Sequence, residues 1–296
     1  MSGRAAAEIL TIGGVRRRAG DLLKAAGIGN ASQEADWLLA SVWKIPRHTL
    51  LLDGERTVSQ IQAERAWACL KRRAERAPLQ YLLGTQEFCG LDITVTPDVL
   101  IPRPESELLV EETLRAVAGL TRPTIIDVGT GSGCLAVALA REALDAKVYA
   151  VDVSWPALAV ARSNAARHGV SERVRFVQAD LLGAFSAGSI GDVVVSNPPY
   201  IPLRDLDGLQ PEVARYEPRL ALAAGEDGLV YHRRLLQETP ALLRPGGFLI
   251  MEMGYGQAEA VTRLARERGA FDSVECRMDA AGIERVLVAR VGTGEA

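Results

Sequence analysis

The chain has 296 residues, a formal net charge of −3 and a pI near 5.8, with 48% hydrophobic and 24% charged residues and no run of ~20 apolar residues that could span a membrane. Its acidic balance argues against a protein that grips phosphate backbones, which needs a basic surplus. Four separated cysteines (Cys69, Cys89, Cys134 and Cys276) make no disulfide framework or metal motif, and three scattered histidines (His48, His168 and His232) give no support to metal or triad chemistry. The length favours two domains. Met1 to Leu10 lacks a basic start followed by an apolar core, so no secretory signal is expected and the location is read as cytoplasmic.

In chain order, residues 1–12 are expected to be disordered and residues 13–87 to form a helical domain. Ala35, Leu38, Leu39 and Val42 fall at i, i+3, i+4 and i+7, one stripe of a helix that Asn30 or Ser32 could cap. Ser59 and Gln62 fit a capping box ahead of a helix carrying Ile61, Trp67 and Leu70. Trp37, Trp43 and Trp67 read as core filling, and Arg16-Arg17-Arg18 as the solvated face of the first helix. Residues 88–104 read as a β-hairpin linker, with Leu91 to Thr96 alternating at period two, a turn at Pro97-Asp98, and Val99 to Ile101 returning.

Residues 105–291 form the second domain, followed by a short tail, 292–296. A helix beginning with acidic residues leads to strands at 124–128, 147–151, 174–178, 192–196, 247–251, 273–277 and 285–290. Helical stretches, notably 133–142, 155–168, 228–243 and 257–268, separate the first five. This alternation predicts an α/β fold with a mostly parallel sheet and helices on both faces. The last two strands are too close for a helical crossover and should pair antiparallel. A seven-stranded Rossmann-like sheet ending in a reversed hairpin is the architecture of class I S-adenosylmethionine (SAM)-dependent methyltransferases.

Ile125 to Val128 with Gly129-Thr130-Gly131-Ser132-Gly133 is a strand, a glycine turn and a helix start, suited to close approach of a nucleotide cofactor. A dinucleotide fingerprint needs its third glycine at position 134, which is Cys134, so the NAD reading is weakened; no lysine follows, so this is not a P-loop. Cys134 itself reads as a small apolar helix residue rather than a nucleophile. Asp152 ends the next strand and can accept both ribose hydroxyls. Asp180 ends the third strand and can accept from an adenine amine, with Leu181 packed on the ring. Asp127 can hold the loop amides or meet an ammonium.

Asn197-Pro198-Pro199-Tyr200 follows the apolar run Asp192 to Ser196. The prolines have fixed φ and no N–H, which leaves their carbonyls free to accept. Such a claw suits a planar –NH2 group: the Asn197 carbonyl and the Pro198 backbone carbonyl take its hydrogens while Tyr200 covers its face. Next to a nucleotide site, it points to methyl transfer to an amide or exocyclic amine nitrogen, with Asn197 placed at the cofactor as well as at the substrate.

Five separated blocks together resemble the release factor glutamine methyltransferases (PrmC, formerly HemK): the glycine loop; Asn197 to Tyr200; Ile101-Pro102-Arg103-Pro104-Glu105-Ser106-Glu107; Pro78 to Gly84 with Glu87-Phe88; and Tyr216-Glu217-Pro218-Arg219. The resemblance runs from about residue 15 to 290. It implies a helical substrate-recognition domain, a hairpin linker and a SAM-dependent methyltransferase domain. It implies methylation of the glutamine amide in the Gly-Gly-Gln motif of class 1 peptide chain release factors. Asn197, Pro198, Pro199 and Tyr200 would then hold the target amide, and residues 103–107 would lie near the pocket with no specific role assigned. A sister family that methylates a ribosomal-protein glutamine carries a Ser-Pro variant after the Pro-Arg pair; Pro104-Glu105 here favours the release factor branch. The other readings are an adenine-N6 or cytosine-N4 nucleic-acid methyltransferase, which uses the same claw, and a non-enzymatic SAM-binding scaffold. A monomer with a protein substrate is expected, without direct nucleic-acid or membrane contact.

Overall fold

A computed structural model describes residues 10–188 and 190–293, and the chain falls into two units. One is the chain up to Gly84 together with Pro211–Tyr216; the other is Thr85–Gln210 with Glu217 onward.

The first unit is helical: α1 (Ile12–Ala25), α2 (Ala31–Trp43), α3 (Arg47–Leu52), α4 (Gln60–Ala74) and α5 (Leu79–Leu83). Ala35, Leu38 and Leu39 of the α2 stripe are buried with Leu23 of α1 and Leu70 of α4, each leucine contributing about 1.5–3 kcal/mol of burial. The Ser59–Gln62 capping box is present: the Gln62 N–H donates to Ser59 Oγ (3.2 Å) and the Ser59 N–H to Gln62 Oε1 (2.9 Å). Asn30 precedes α2 without a side-chain cap bond. The disordered assignment of residues 1–12 is corrected at its end, because Thr11 caps α1 by accepting the Gly14 N–H (3.1 Å) and Ile12 is buried; residues 1–9 lie outside the described residues.

Trp43 fills the core and donates its indole N–H to the Gln62 carbonyl (3.1 Å), whereas Trp37 and Trp67 are half-buried beneath the guanidiniums of Arg47 and Arg18. Arg16 binds Asp36 through both oxygens (2.6 and 3.0 Å), so two of the three arginines read as a solvated face have defined partners. Pro211–Tyr216 joins this unit from far along the chain. Glu212 accepts from Arg73 Nη1 (2.9 Å) and Arg76 Nη2 (2.8 Å), Arg73 Nε donates to Glu34 (2.6 Å), and the Tyr216 hydroxyl donates to the Glu75 carbonyl (2.9 Å). Burial pushes the Glu212 carboxyl up, but hydrogen bonds from Arg76 and Arg73 outweigh it and hold the group below its usual range.

The second unit opens with β1 (Thr85–Phe88) and β2 (Leu91–Thr94), then α6 (Glu107–Val117), β3 (Thr124–Val128), α7 (Cys134–Glu142), β4 (Lys147–Asp152), α8 (Trp155–Arg167), β5 (Val174–Gln178) and β6 (Gly191–Ser196). After α9 (Pro211–Tyr216), which packs in the first unit, come α10 (Val230–Glu238), β7 (Leu243–Glu252), α11 (Ala258–Glu267), β8 (Phe271–Met278) and β9 (Glu284–Val291). The seven-stranded sheet has the order β5-β4-β3-β6-β7-β9-β8. Its first five strands are parallel; β9 runs antiparallel to both β7 and β8, the reversed hairpin expected from the short connection. Apolar cores lie on both faces, one built on α6 and α7, the other on α10 and α11.

The linker hairpin is corrected. Its strands are β1 and β2, paired Thr85↔Thr94 through Phe88↔Leu91, and both lie in the second unit. Cys89 (φ 49°) and Gly90 (φ 69°) are both left-handed, as a two-residue turn of the twist-matched type requires. Thr96 to Val99 is a turn, held by the Val99 N–H on the Thr96 carbonyl (3.1 Å), and the returning segment 99–101 is irregular rather than a strand. Gly292, assigned to the tail, accepts the Gly246 N–H (3.1 Å), while residues 294–296 lie outside the described residues. No helix among the described residues is long and apolar enough to cross a membrane.

Candidate active site

From β3 the chain winds outward through β4 and β5, then returns to lay β6 and β7 on the other side. Ligands bind at such a switch point, beyond the carboxyl ends of the strands. Val128 of β3 pairs with Ser196 of β6, and the Ser196 hydroxyl donates to the Val128 carbonyl (2.7 Å), so Gly129 and Asn197 leave the sheet side by side. A cavity of about 380 Å³ lies there, lined by Gly129, Gly131, Asp152, Asp180, Leu181, Asn197, Pro198 and Pro199 among others, a size suited to a small-molecule ligand.

The glycine loop divides its labour. Gly129 and Gly131 line the cavity, whereas Thr130, Ser132 and Gly133 do not and shape the turn instead. The N–H groups of Gly129 and Thr130 both donate to the Val151 carbonyl (2.8 and 2.9 Å). The Thr130 hydroxyl donates to Asp127 Oδ2 (2.6 Å); Asp127 is fully buried and burial pushes its carboxyl up to about 7. Asp127 thus holds a loop hydroxyl and lies off the cavity wall. Ser132 is tied down through its carbonyl, which accepts from Asn164 Nδ2 (2.8 Å); the same amide bonds both backbone groups of Thr94 on β2 (2.9 Å each). Gly133 (φ 78°) lies against α8, where an added Cβ would come within 2.9 Å of Ala161 Cβ.

Gly133→Ala therefore combines left-handed strain, about 1 kcal/mol, with overpacking of about 1–2 kcal/mol. The expected loss is about 2–3 kcal/mol in urea unfolding. Gly119→Ala, with φ 83° but nothing within 4 Å of the new methyl, should lose only the first part. Equal losses at the two positions would mean that the α7–α8 approach is not what demands glycine.

Asp152 accepts the N–H of Gly131 on Oδ2 and of Ser154 on Oδ1 (2.9 Å each), which leaves lone pairs on both oxygens at the cavity edge. Burial pushes its carboxyl up, against the pull of those amides. Asp180 differs from its expected role: it is 65% exposed and paired with Arg234 Nη1 (2.9 and 3.0 Å), so its acceptors already hold a guanidinium. Leu181 takes a left-handed φ of 47° where it lines the cavity. Burial pushes the Cys134 thiol up to about 12, which removes it as a nucleophile.

At the claw, Asn197 Nδ2 donates to Ser106 Oγ (2.8 Å), and no bond among the described residues occupies its Oδ1. No donor among them reaches the Pro198 carbonyl. Tyr200 departs from expectation, for it does not line the cavity. Its ring packs over Gly254, where a Cβ would come within 3.0 Å of Cδ2, and its carbonyl accepts from Gln257 Nε2 (2.9 Å). Ser106 in turn donates to Glu252 Oε2 (2.6 Å), a carboxylate at the end of β7 that is 1% exposed.

Residues 103–107 tie several parts of the site together. Arg103 pairs with Glu217 (2.6 Å), Ser106 joins Asn197 to Glu252, and Glu107 accepts the Cys89 N–H of the hairpin turn (2.7 Å). Sequence reasoning missed Asn164 and Glu252, and placed Ser106 near the pocket without a role. It also missed the cavity residues Asp98, Leu100, Tyr231 and Arg234, which come from a loop and a helix without a motif. No cluster of metal-binding side chains occurs among the described residues.

The residues fit a nucleoside sulfonium. Gly129 has nothing within 4 Å of where a side chain would stand, the half-buried Asp152 carboxylate sits at the cavity edge, and most of the wall is apolar. Residues 15–84 match the PrmC N-terminal domain family, and residues 104–208 the methyltransferase small domain family. A release factor glutamine methyltransferase of Geobacter sulfurreducens is 44% identical over 266 residues, covering 90% of this chain and 92% of that one. A methyltransferase crystal structure from Pyrococcus furiosus shares the fold at TM-score 0.52 and 21% identity, covering 75% of this chain and 98% of that one. So does the T. thermophilus 16S rRNA N2 G1207 methyltransferase in complex with AdoMet and guanosine, at TM-score 0.51 and 20% identity over 70% of this chain and 49% of that one.

Proposed function

The chain belongs to the release factor glutamine methyltransferases, and on that premise we propose that it methylates the side-chain amide nitrogen (N5) of the glutamine in the Gly-Gly-Gln motif of class 1 peptide chain release factors. SAM is the methyl donor. The observation that carries the choice of nucleophile is Asn197, whose amide donor is engaged by Ser106 while its acceptor oxygen, at the cavity wall, has no hydrogen-bond partner among the described residues.

An amide nitrogen is a poor nucleophile because its lone pair is delocalised into the carbonyl. Asn197 Oδ1 and the Pro198 carbonyl each accept one of its hydrogens, orient the nitrogen and favour its pyramidal form. SAM would supply a sulfonium methyl group and leave as the neutral thioether S-adenosylhomocysteine, the displaced N–H proton passing to water after transfer. The two carbonyls also stabilise the positive charge that grows on nitrogen, so the catalysis is positioning and preorganised electrostatics rather than strong-base chemistry. Asp152 would hold the ribose hydroxyls, Gly129 and Gly131 give the backbone its close approach, and Leu181 offers an apolar face to the adenine ring.

The test is mass spectrometry of a purified release factor after incubation with the full-length protein and SAM, with duplex DNA in a parallel arm. One added methyl on the Gly-Gly-Gln glutamine is expected. Methyl incorporation into DNA with none into the release factor would assign the claw to a base amine instead.

A further inference from the structure

The Asn197 carboxamide serves as an acceptor in only one of its two orientations. A half-turn exchanges Oδ1 for Nδ2 and turns a donor toward an amine that itself only donates. A hydrogen-bond chain behind the residue decides between them: Asn197 Nδ2 to Ser106 Oγ (2.8 Å), then Ser106 Oγ to Glu252 Oε2 (2.6 Å). Its direction is set at the Glu252 end. An ionised carboxylate only accepts, so the serine spends its single proton there and keeps lone pairs for Asn197 Nδ2. A protonated Glu252 can donate to Ser106, whose hydrogen then turns to Asn197 and favours the flipped amide.

We propose that Ser106 and Glu252 are positioning residues for methyl transfer, the Glu252 carboxylate acting through Ser106 to hold Asn197 with its carbonyl oxygen toward the incoming amide. The proposal rests on Asn197 as the amide acceptor. Both residues are almost completely buried and come from different elements, Ser106 from the turn before α6 and Glu252 from the end of β7. A charged side chain at so enclosed a point is costly unless it is held by hydrogen bonds. The groups facing it are the Ser106 and Tyr200 hydroxyls, Arg285 on β9 and Glu105 beside Ser106. On α10, His232 donates Nε2–H to the Glu252 backbone carbonyl (2.9 Å), and burial lowers its own proton affinity against the pull of that bond. Burial pushes the Glu252 carboxyl up to about 7, while Ser106, Arg285 and Tyr200 pull it down. The carboxylate is therefore lost as pH falls through about 7, and the acceptor orientation of Asn197 is lost with it.

The experiment compares full-length wild type with Ser106→Ala, Ser106→Thr, Glu252→Gln and the Ser106→Ala/Glu252→Gln pair. Their methylation of a release factor is followed from about pH 5.5 to 8.5, with SAM affinity by calorimetry and thermal melting as controls. Wild-type kcat should fall on the acid side of about pH 7. Glu252→Gln and Ser106→Ala should each lower kcat about 10- to 100-fold at pH 8 with SAM affinity little changed. Glu252→Gln should lose the acid limb, the double variant should be no slower than the slower single one, and Ser106→Thr should recover most of the rate. In the cofactor-free protein, the Asn197 side-chain NH2 resonances, identified by their loss in Asn197→Ala, should shift with pH near 7 in wild type and stay put in Glu252→Gln. An acid limb that survives in Glu252→Gln, or single effects that multiply in the double variant, would overturn the relay. Full activity in Asn197→Ala would instead sink the reading on which the relay rests, so the two failures are distinguishable.

Discussion

Replacing Asn197 with alanine lowers the methylation rate about 100- to 1,000-fold, the loss seen when one preorganised hydrogen-bonding group is removed from a developing charge. The cofactor site should survive, because the glycine loop and Asp152 are held by backbone bonds to Val151 and Ser154 that do not pass through Asn197. SAM affinity by calorimetry should therefore change by less than about threefold while kcat collapses. Asn197→Asp gives a sharper comparison. It keeps an oxygen for the substrate, yet places a second oxygen against Ser106 Oγ, whose proton already goes to Glu252. Two acceptors then meet with no hydrogen between them, so this variant should also be slow despite its better charge for a positive transition state. Near-normal turnover in Asn197→Ala would remove Asn197 from the chemistry and leave Pro198 as the only gripping group.

The parts of this site that can be read from sequence are those whose signal is local. The strand ending at Val128, the glycine turn and the claw after Ser196 each announce themselves within ten residues, and strand–helix alternation gives the parallel direction of their strands, whereas the strand order and register that set Val128 beside Ser196 come from long-range pairing. Local periodicity misplaced the hairpin. The alternation of Leu91 to Thr96 points forward to Val99, whereas the pairing strand is the more polar Thr85–Phe88, and the turn uses Cys89-Gly90 rather than a common turn pair. Nothing local says that Pro211–Tyr216 packs with the first unit, since that depends on Arg73 and Arg76 more than 130 residues earlier. One missed signal was in plain view: Glu252 interrupts the apolar run Phe248 to Met253. A carboxylate in a buried strand needs partners, and looking for its donors would have led to Ser106 and to the role of residues 103–107.

Asp152→Ala should weaken SAM binding about 100-fold, with a much smaller effect on kcat at saturating SAM. Two hydroxyl donors to a carboxylate contribute about 1.5 kcal/mol or more each, and about 3 kcal/mol corresponds to a factor of roughly 100 in affinity. Alanine also frees the N–H groups of Gly131 and Ser154, which both donate to this carboxylate at 2.9 Å, so the loop loses preorganisation as well as an acceptor. Asp152→Asn separates these contributions. It retains one oxygen for a backbone amide but turns an NH2 toward the other, and should fall between wild type and alanine. Because burial pushes the Asp152 carboxyl above its ordinary value, wild-type affinity should begin to fall at a higher pH than an exposed aspartate would give, and Asp152→Asn should lack that dependence. Titration calorimetry with SAM reads all three proteins without a methyl acceptor. An unchanged dissociation constant in Asp152→Ala would place the ribose elsewhere in the cavity and leave Asp152 as a loop staple alone.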